Sequence, residues 1–564
     1  MPALREIYAR KALSQIPRLL GNLDRSPFSP TYGCFHRDYW LDKTSDFPDA
    51  VRQFAVHALA LVYTYDMPGN IYHRQPKVRD WILAALDFWA RIQHPDGSFD
   101  EFYPYERGWV GPTAFTTFTS VETYRLMAAE LPANVAERVR TAILRAARFV
   151  SAGEAEEDHL ANHHAMACLA VWKAHELFDD KPLKQGYEKL WQGFLRYYVK
   201  EEGWSREYDG IDPGYLSATV SFLGKIYETN KDPDLCEVLR QSVDACSYFV
   251  YPNGFYAGSM GSRNTLHLYP HGFEILAREL PLAAAVAEKS LAALGEDKLV
   301  PPEIISDRYV AYRVPEYLQA YLSYTERPAL LPPLPYERQP FTTYFELSRI
   351  YVANRERYYV LANLAKGGTV KVFDKADGGR LVLNDCGLIG QLTDGRVVTS
   401  QWVDPTYEVN AGETGCEVHG DMHAVPSHKV FTLTKNLIFR TVLLLLGWWP
   451  AFSHLLKGQI RKTLILGKRP VPIRFRRTLT VADERITLTD DLWAKSGTTF
   501  SQLAAGDEFF VRYVPQSRYF QAQELEVNGL TLDAATLTRV NRSSSLHLET
   551  RIEGGEVRRE VRTS

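Results

Sequence analysis

From the start of the chain to about Tyr324, apolar residues recur at three- and four-residue steps, in segments such as VRQFAVHALALVYTY, VRDWILAALDFWARI, VETYRLMAAEL and PLAAAVAEKSLAAL. That is the period of helices with a buried face, and roughly eleven such segments can be read. Their connections alternate. Those from Asn22 to Phe47, His94 to Thr113, Lys200 to Asp212 and Tyr248 to Pro270 are long and aromatic-rich, whereas Leu131 to Ala133, Asp179 to Lys181 and Asn230 to Asp232 are minimal. Antiparallel helices in series place every second connection at the same end, so the long loops are expected to gather around one cleft.

A proline cluster, TERPALLPPLPYERQP, then ends the helical pattern and reads as an extended linker over 327–343. Downstream the period changes to two in YYVLANL, TVKVFDK, GRLVLND, RVVTSQWV, KVFTLTK, IRFRRTLTV and ERITLTDDLW, separated by Gly-containing turns. Residues 344–564 therefore read as an antiparallel β-sandwich and residues 1–326 as a helical domain.

Charge narrows the partners. With 65 Lys+Arg against 68 Asp+Glu the net charge is −3, which leaves no global basic field for nucleic acid. Aromatic residues make up 12% of the chain, and flat amphipathic rings suit sugars. The six cysteines are scattered without a CxxC pair, so reduced thiols are expected. The amphipathic N-terminus lacks a signal-peptide pattern, which points to a cytoplasmic protein. Leu437 to Pro450 (LIFRTVLLLLGWWP) is too short for a transmembrane segment and reads as a buried helix, or else as an interfacial membrane contact.

Chemistry-bearing residues cluster on the long connections. His159-Leu-Ala-Asn162-His163-His164 opens a helix, where free N–H groups welcome an anion and a neutral imidazole can accept a proton; Asn162 could equally be a helix cap. Tyr215, just after Asp212-Pro213-Gly214, could exchange a proton in the cleft or simply pack. The loop Gly258 to Glu274 offers Arg263, Asn264, His267 and His271, with Arg263 suited either to a carboxylate or to stapling loops together. Glu101, Tyr105, Glu106 and Trp109 on one loop, and His36 and Trp40 on another, have the composition of a sugar subsite. In the second domain His419, Asp421 and His423, followed by His428, would share one strand face and could hold a structural metal.

A helical toroid, a proline linker, an antiparallel sandwich, and an Asn-His pair ahead of a tyrosine together resemble the heparinase II/III-like polysaccharide lyases and their alginate-lyase relatives. The resemblance implies an α+β multidomain fold, an (α/α) toroid followed by a β-sandwich, acting without a required cofactor on an acidic polysaccharide or oligosaccharide by β-elimination. It assigns Asn162 to the uronate carboxylate and His163 and Tyr215 to proton transfer; beside it, the residues themselves offer His271 as a reserve acid, Arg263 as a second partner for the carboxylate, and Asn264, His267, His164 and the aromatic and acidic loops to hold the chain. The alternatives are a glycoside hydrolase using Glu101, Glu106, Asp209 or Asp212, or a uronate epimerase or carbohydrate-binding protein. A common cleft should contain His36, Glu101, Asn162, Tyr215 and His271.

Overall fold

The computed structural model describes residues 4–104, 109–153, 160–425, 432–461, 467–506, 519–522, 525 and 529–562. The main helices of the first domain run α1 (Glu6–Leu13), α2 (Ala55–Thr64), α3 (Pro76–Arg91), α4 (Val110–Met127), α5 (Ala133–Ala152), α6 (Ala161–Phe178), α7 (Lys181–Leu195), α8 (Pro213–Asn230), α9 (Pro233–Ser247), α10 (Pro270–Leu276), α11 (Pro281–Gly295) and α12 (Asp307–Ser323). Even-numbered helices pack successively against one another, and α12 returns to α2, closing a ring; odd-numbered helices cover it from outside.

Sequence composition explains which helix goes where. Along α4, α6 and α8 small residues such as Ala, Gly, Ser and Thr are buried on every side, which lets inner helices approach closely. The outer helices α5, α7 and α9 each bury a single stripe. Caps fix the starts: Asp180, Asp212 and Asp232 accept backbone N–H groups of α7, α8 and α9, each followed closely by a proline in the first turn. The long connections do gather at the N-terminal ends of the inner helices, and the short ones at the other end.

After α12 the proline segment makes a short turn at Pro335–Glu337, and its end joins the strand Phe341–Phe345. Five consecutive strands up to Arg380–Asp385 form one antiparallel sheet, and a larger antiparallel sheet is built around Gly415–Ala424, Pro470–Val481, Arg485–Ala494 and Ser545–Glu553. Alternate residues of these strands face a core shared by both sheets, in which Val360, Trp402, Val418, Phe475 and Leu488 are buried. The two domains are bolted together where Lys366 Nζ donates to the carbonyls of Ser259 (3.0 Å) and Gly261 (2.6 Å) and to the Asn264 side chain.

Two expectations fail here. The later part of KVFTLTK does not continue as a strand: Leu433 opens a helix, α13 (Leu433–Leu446), followed by α14 (Pro450–Arg461), and the pair interrupts the sheet between two neighbouring strands. Nor is 437–450 a buried helix; Leu443 is enclosed while Leu437, Ile438, Leu444, Leu445, Trp448 and Trp449 are exposed. Among the described residues no helix is long and apolar enough to cross a membrane.

Candidate active site

The first turns of α6 and α8, the second turn of α12 and two loops meet at the loop-bearing end of the ring. Glu101, Asn162, His163, Tyr215, Tyr269 and Tyr312 line a cavity of about 40 Å³, floored by Phe115, Ala218 and Phe222. Asn162 is not a cap. It lies within the first turn of α6, and its Nδ2 donates to Oε1 of Glu207 at 2.7 Å while its backbone N–H reaches Oε2 at 3.3 Å. Glu207 ends the short strand Trp204–Glu207, which bridges to Leu160, so the strand and the helix start are held together through this carboxylate. Burial pushes the Glu207 carboxyl up to about 8, and the Asn162 hydrogen bond works in the opposite direction.

His163 meets the edge of Phe115 at 5.5 Å between ring centroids. The absence of a side chain at Gly111 makes room for it, since a Cβ there would stand 2.8 Å from His163 Nδ1. On the opposite wall, Glu101 Oε1 accepts from Arg308 Nη2 at 2.7 Å; burial raises the Glu101 pKa and the arginine charge opposes that rise. Arg308 also pairs with Asp49 at 3.1 Å and lies 4.1 Å over the Phe102 ring.

Tyr215 is held through its backbone. Its N–H donates to Asp212 Oδ1 at 3.2 Å, while Asp212 Oδ2 accepts from the N–H groups of Arg263 at 2.9 Å and Thr265 at 3.4 Å. Burial raises the Tyr215 phenol well above its ordinary pKa, reinforced by Tyr208 and by the carboxylates of Glu207 and Asp212. The phenol is therefore a proton donor in its resting state.

Several expected site residues lie elsewhere. His271 opens onto a different cavity, of about 310 Å³, with His57, Lys173, Lys225 and Ser323, at the C-terminal end of the inner helices. The reason is that α10 has only seven residues and starts partway down the ring, with Gly272 against Ser221 of α8. Arg263 is fully buried, stacked 4.1 Å from the Tyr208 ring and paired with Asp209 at 3.3 Å; it staples loops and lines no wall of the cavity. Asn264 is buried and engaged by Lys366, and His267 is buried against Tyr519.

His164, one position past His163 on α6, turns away and stacks on Tyr197. His36 is two links removed, accepting the Asp49 N–H at Nδ1 (3.0 Å) while Asp49 pairs with Arg308, so the expected common cleft contains neither His36 nor His271. Trp40 donates its indole N–H to the Asn22 carbonyl. Trp109 is buried at the start of α4 beside Phe102, with its Nε1 near Gly111, and forms part of the packing around His163. Tyr105 and Glu106 lie outside the described residues. Of the other hydrolase carboxylates, Asp212 is occupied by backbone N–H groups and Asp209 by Arg263.

The metal candidates also separate. A register shift in the strand between Asp421 and His423 breaks the alternation, so His423 turns inward onto Asp404 (3.0 Å) and Trp402 while His419 pairs with Glu408 and Asp421 is exposed. Among the described residues no group of three His, Cys, Asp or Glu converges on a metal position; His428 is outside them.

Glu207, Arg308, Tyr269 and Tyr312 were not anticipated. Arg308 and Tyr312 could have been found, because DRYVAYRVPEY opens an inner helix at the same end as Asn162 and Tyr215. Nothing local in WSRE marks Glu207 as the partner of Asn162, 45 positions away.

Residues 72–271, which carry every one of the cavity's residues except Tyr312, match the family model described as Ulvan lyase N-terminal domain. The fold is similar to that of a Paenibacillus xanthan lyase (13% identity, TM-score 0.51), over 88% of this chain but 46% of that one, so the chain spans less than half of that enzyme. It is similar as well to a Streptomyces coelicolor A3 chondroitin AC lyase in complex with chondroitin sulphate (12% identity, TM-score 0.51), over 89% of this chain and 70% of that one. Heparinase III aligns over 92% of this chain and 84% of its own, at 10% identity and TM-score 0.46. No curated protein matches the chain in sequence. What these comparisons share with this chain is the fold, an α/α toroid followed by a β-sandwich, together with a match to a lyase-domain model over residues 72–271.

Proposed function

We propose that the protein cleaves a uronate-containing polysaccharide or oligosaccharide by β-elimination. The observation that carries this reading is the convergence of Asn162, His163 and Tyr215 on one cavity, with the Asn162 amide fixed by a buried carboxylate. Removing the proton at C5 of a uronate places a second negative charge on its carboxylate, and donors already aimed there lower the barrier most. The Asn162 amide, with one N–H held by Glu207, has its other N–H for that carboxylate. His163 removes the C5 proton, and the Tyr215 phenol, protonated at rest, donates to the glycosidic oxygen at C4. The C5–H electron pair forms the C4–C5 double bond as the C4–O bond breaks, leaving one unsaturated and one ordinary end. The step calls on no metal or organic cofactor.

The hydrolase alternative has less support, because Glu101 is paired with Arg308 and the geometry offers no second free carboxylate among the described residues lining the cavity. Incubation with a panel of uronic-acid polymers, followed by ultraviolet absorbance of the conjugated alkene and by reducing-end assay, separates the two. An absorbance rise establishes elimination; new reducing ends without that chromophore would overturn it.

A further inference from the structure

The helical pair α13 and α14 belongs to neither domain core. Among the described residues α13 rests on the toroid through one face: Phe439 meets the edge of Tyr103 at 4.7 Å, Arg440 pairs with Asp46 at 3.3 Å, and Leu443 is buried. On the opposite face Leu437, Ile438, Leu444 and Leu445, followed by Trp448 and Trp449 at the turn, are each 55–63% exposed. Clustered exposure of this kind is uncommon on a protein surface that meets only water.

Charge identifies what covers it. From Met422 to Ala482 the sequence contains no Asp or Glu, and besides Arg440 and Lys468, which pair with Asp46 and Asp404, it carries Lys435, Lys457, Arg461, Lys462 and Arg469, of which Lys435 and Arg469 are exposed beside the pair. A leucine face with a tryptophan pair at its end and cations around it is the composition that lies in the interface of an anionic bilayer, rings at the headgroup level and aliphatic groups among the acyl chains. An acidic polysaccharide would match the cations but not the leucines, which offer a sugar neither a flat face nor a hydrogen bond.

We propose that α13 and α14 form a monotopic anchor that seats the protein on an anionic lipid surface. Because α13 docks on residues 46 and 103, beside Glu101, the anchored molecule presents the mouth of its toroid close to that surface. The inference does not depend on the reaction performed there.

Flotation of the full chain with vesicles tests it, using phosphatidylcholine alone and phosphatidylcholine with one third phosphatidylglycerol. The wild type should float with the anionic vesicles, less at high salt, and the paired change Leu444→Asp with Leu445→Asp should weaken partitioning at least tenfold without shifting the unfolding midpoint. Lys435→Glu with Arg469→Glu should weaken it on anionic vesicles while leaving any residual binding to neutral ones unchanged. Failure to float with either composition, or flotation indifferent to the leucine changes, overturns the proposal. So does a dimer seen by light scattering, or retention on an acidic polysaccharide matrix, that the leucine changes abolish in the absence of vesicle binding; these assign the face to a second copy or to the substrate.

Discussion

Asn162 donates its side-chain N–H to Glu207 at 2.7 Å, and the carboxylate that receives it is buried, held 45 positions away on a short strand. This pairing fixes the orientation of the amide. It also places a titrating group behind the cavity, because burial lifts Glu207 to about 8.

The Glu207 shift has a sign that stability measurements can read. A carboxyl whose folded pKa lies above its unfolded value binds its proton more tightly when folded, so its contribution is complete below the unfolded value near 4.5 and lost as pH rises through about 8. Across that window wild-type stability should fall relative to Glu207→Gln, by at most about 1.4 kcal/mol per pH unit. Unfolding midpoints of the two proteins from pH 5 to 9 check this; parallel curves would show that Glu207 titrates normally.

Removing the Tyr215 hydroxyl should stop the reaction without harming the fold. For Tyr215→Phe we expect kcat to fall by roughly 10²–10⁴, the usual range for loss of a positioned acid. The backbone N–H bond to Asp212 is retained, so stability should change by less than about 1 kcal/mol. Unsaturated-product formation and thermal unfolding measured together decide the point, and full activity would reject the assignment.

The packing at Gly111 predicts a quieter defect. In Gly111→Ala the new methyl meets His163 Nδ1 at 2.8 Å and Cε1 at 2.9 Å, so the imidazole must shift. A displacement of that order at a reacting group costs up to about 10²-fold in rate. The loss should appear in kcat rather than KM.

Lys366→Met tests whether the sandwich supports the toroid site. Its ammonium holds the 259–264 loop, and the N–H groups of Arg263 in that loop and of Thr265 just after it donate to Asp212, the cap that accepts the Tyr215 N–H. Breaking such a buried cation's contacts should cost about 3 kcal/mol and lower kcat as well. Loss of stability with unchanged kcat would show that the sandwich is only a structural partner.

His271→Ala should leave turnover within about threefold, because the side chain faces the other end of the ring. Its Nε2 contact with Ser323 Oγ at 2.9 Å is lost, so a modest drop in unfolding midpoint is expected. A rate loss as deep as that of Tyr215→Phe would return His271 to the reaction.

What the sequence determined by itself was whatever is periodic or local. Helical spacing, the proline break and the change to period two specified antiparallel helices in series joined to an antiparallel sandwich, the family resemblance added the ring, and the alternation of long and short connections located the working end. Asn162, His163 and Tyr215 could be found because each opens an inner helix at that end. Only the tertiary structure decided which neighbours meet. The shortness of α10 sends His271 to the far cavity, a register shift turns His423 away from His419, and the ring brings Glu207 and Arg308 to residues far off in sequence. Such pairings depend on helix depth and strand register, which are set by packing between elements and leave no period in the chain. The fate of 437–450 was decided the same way: its apolar pattern allowed burial, but the toroid offers it contact along a single face, and the remainder stays open.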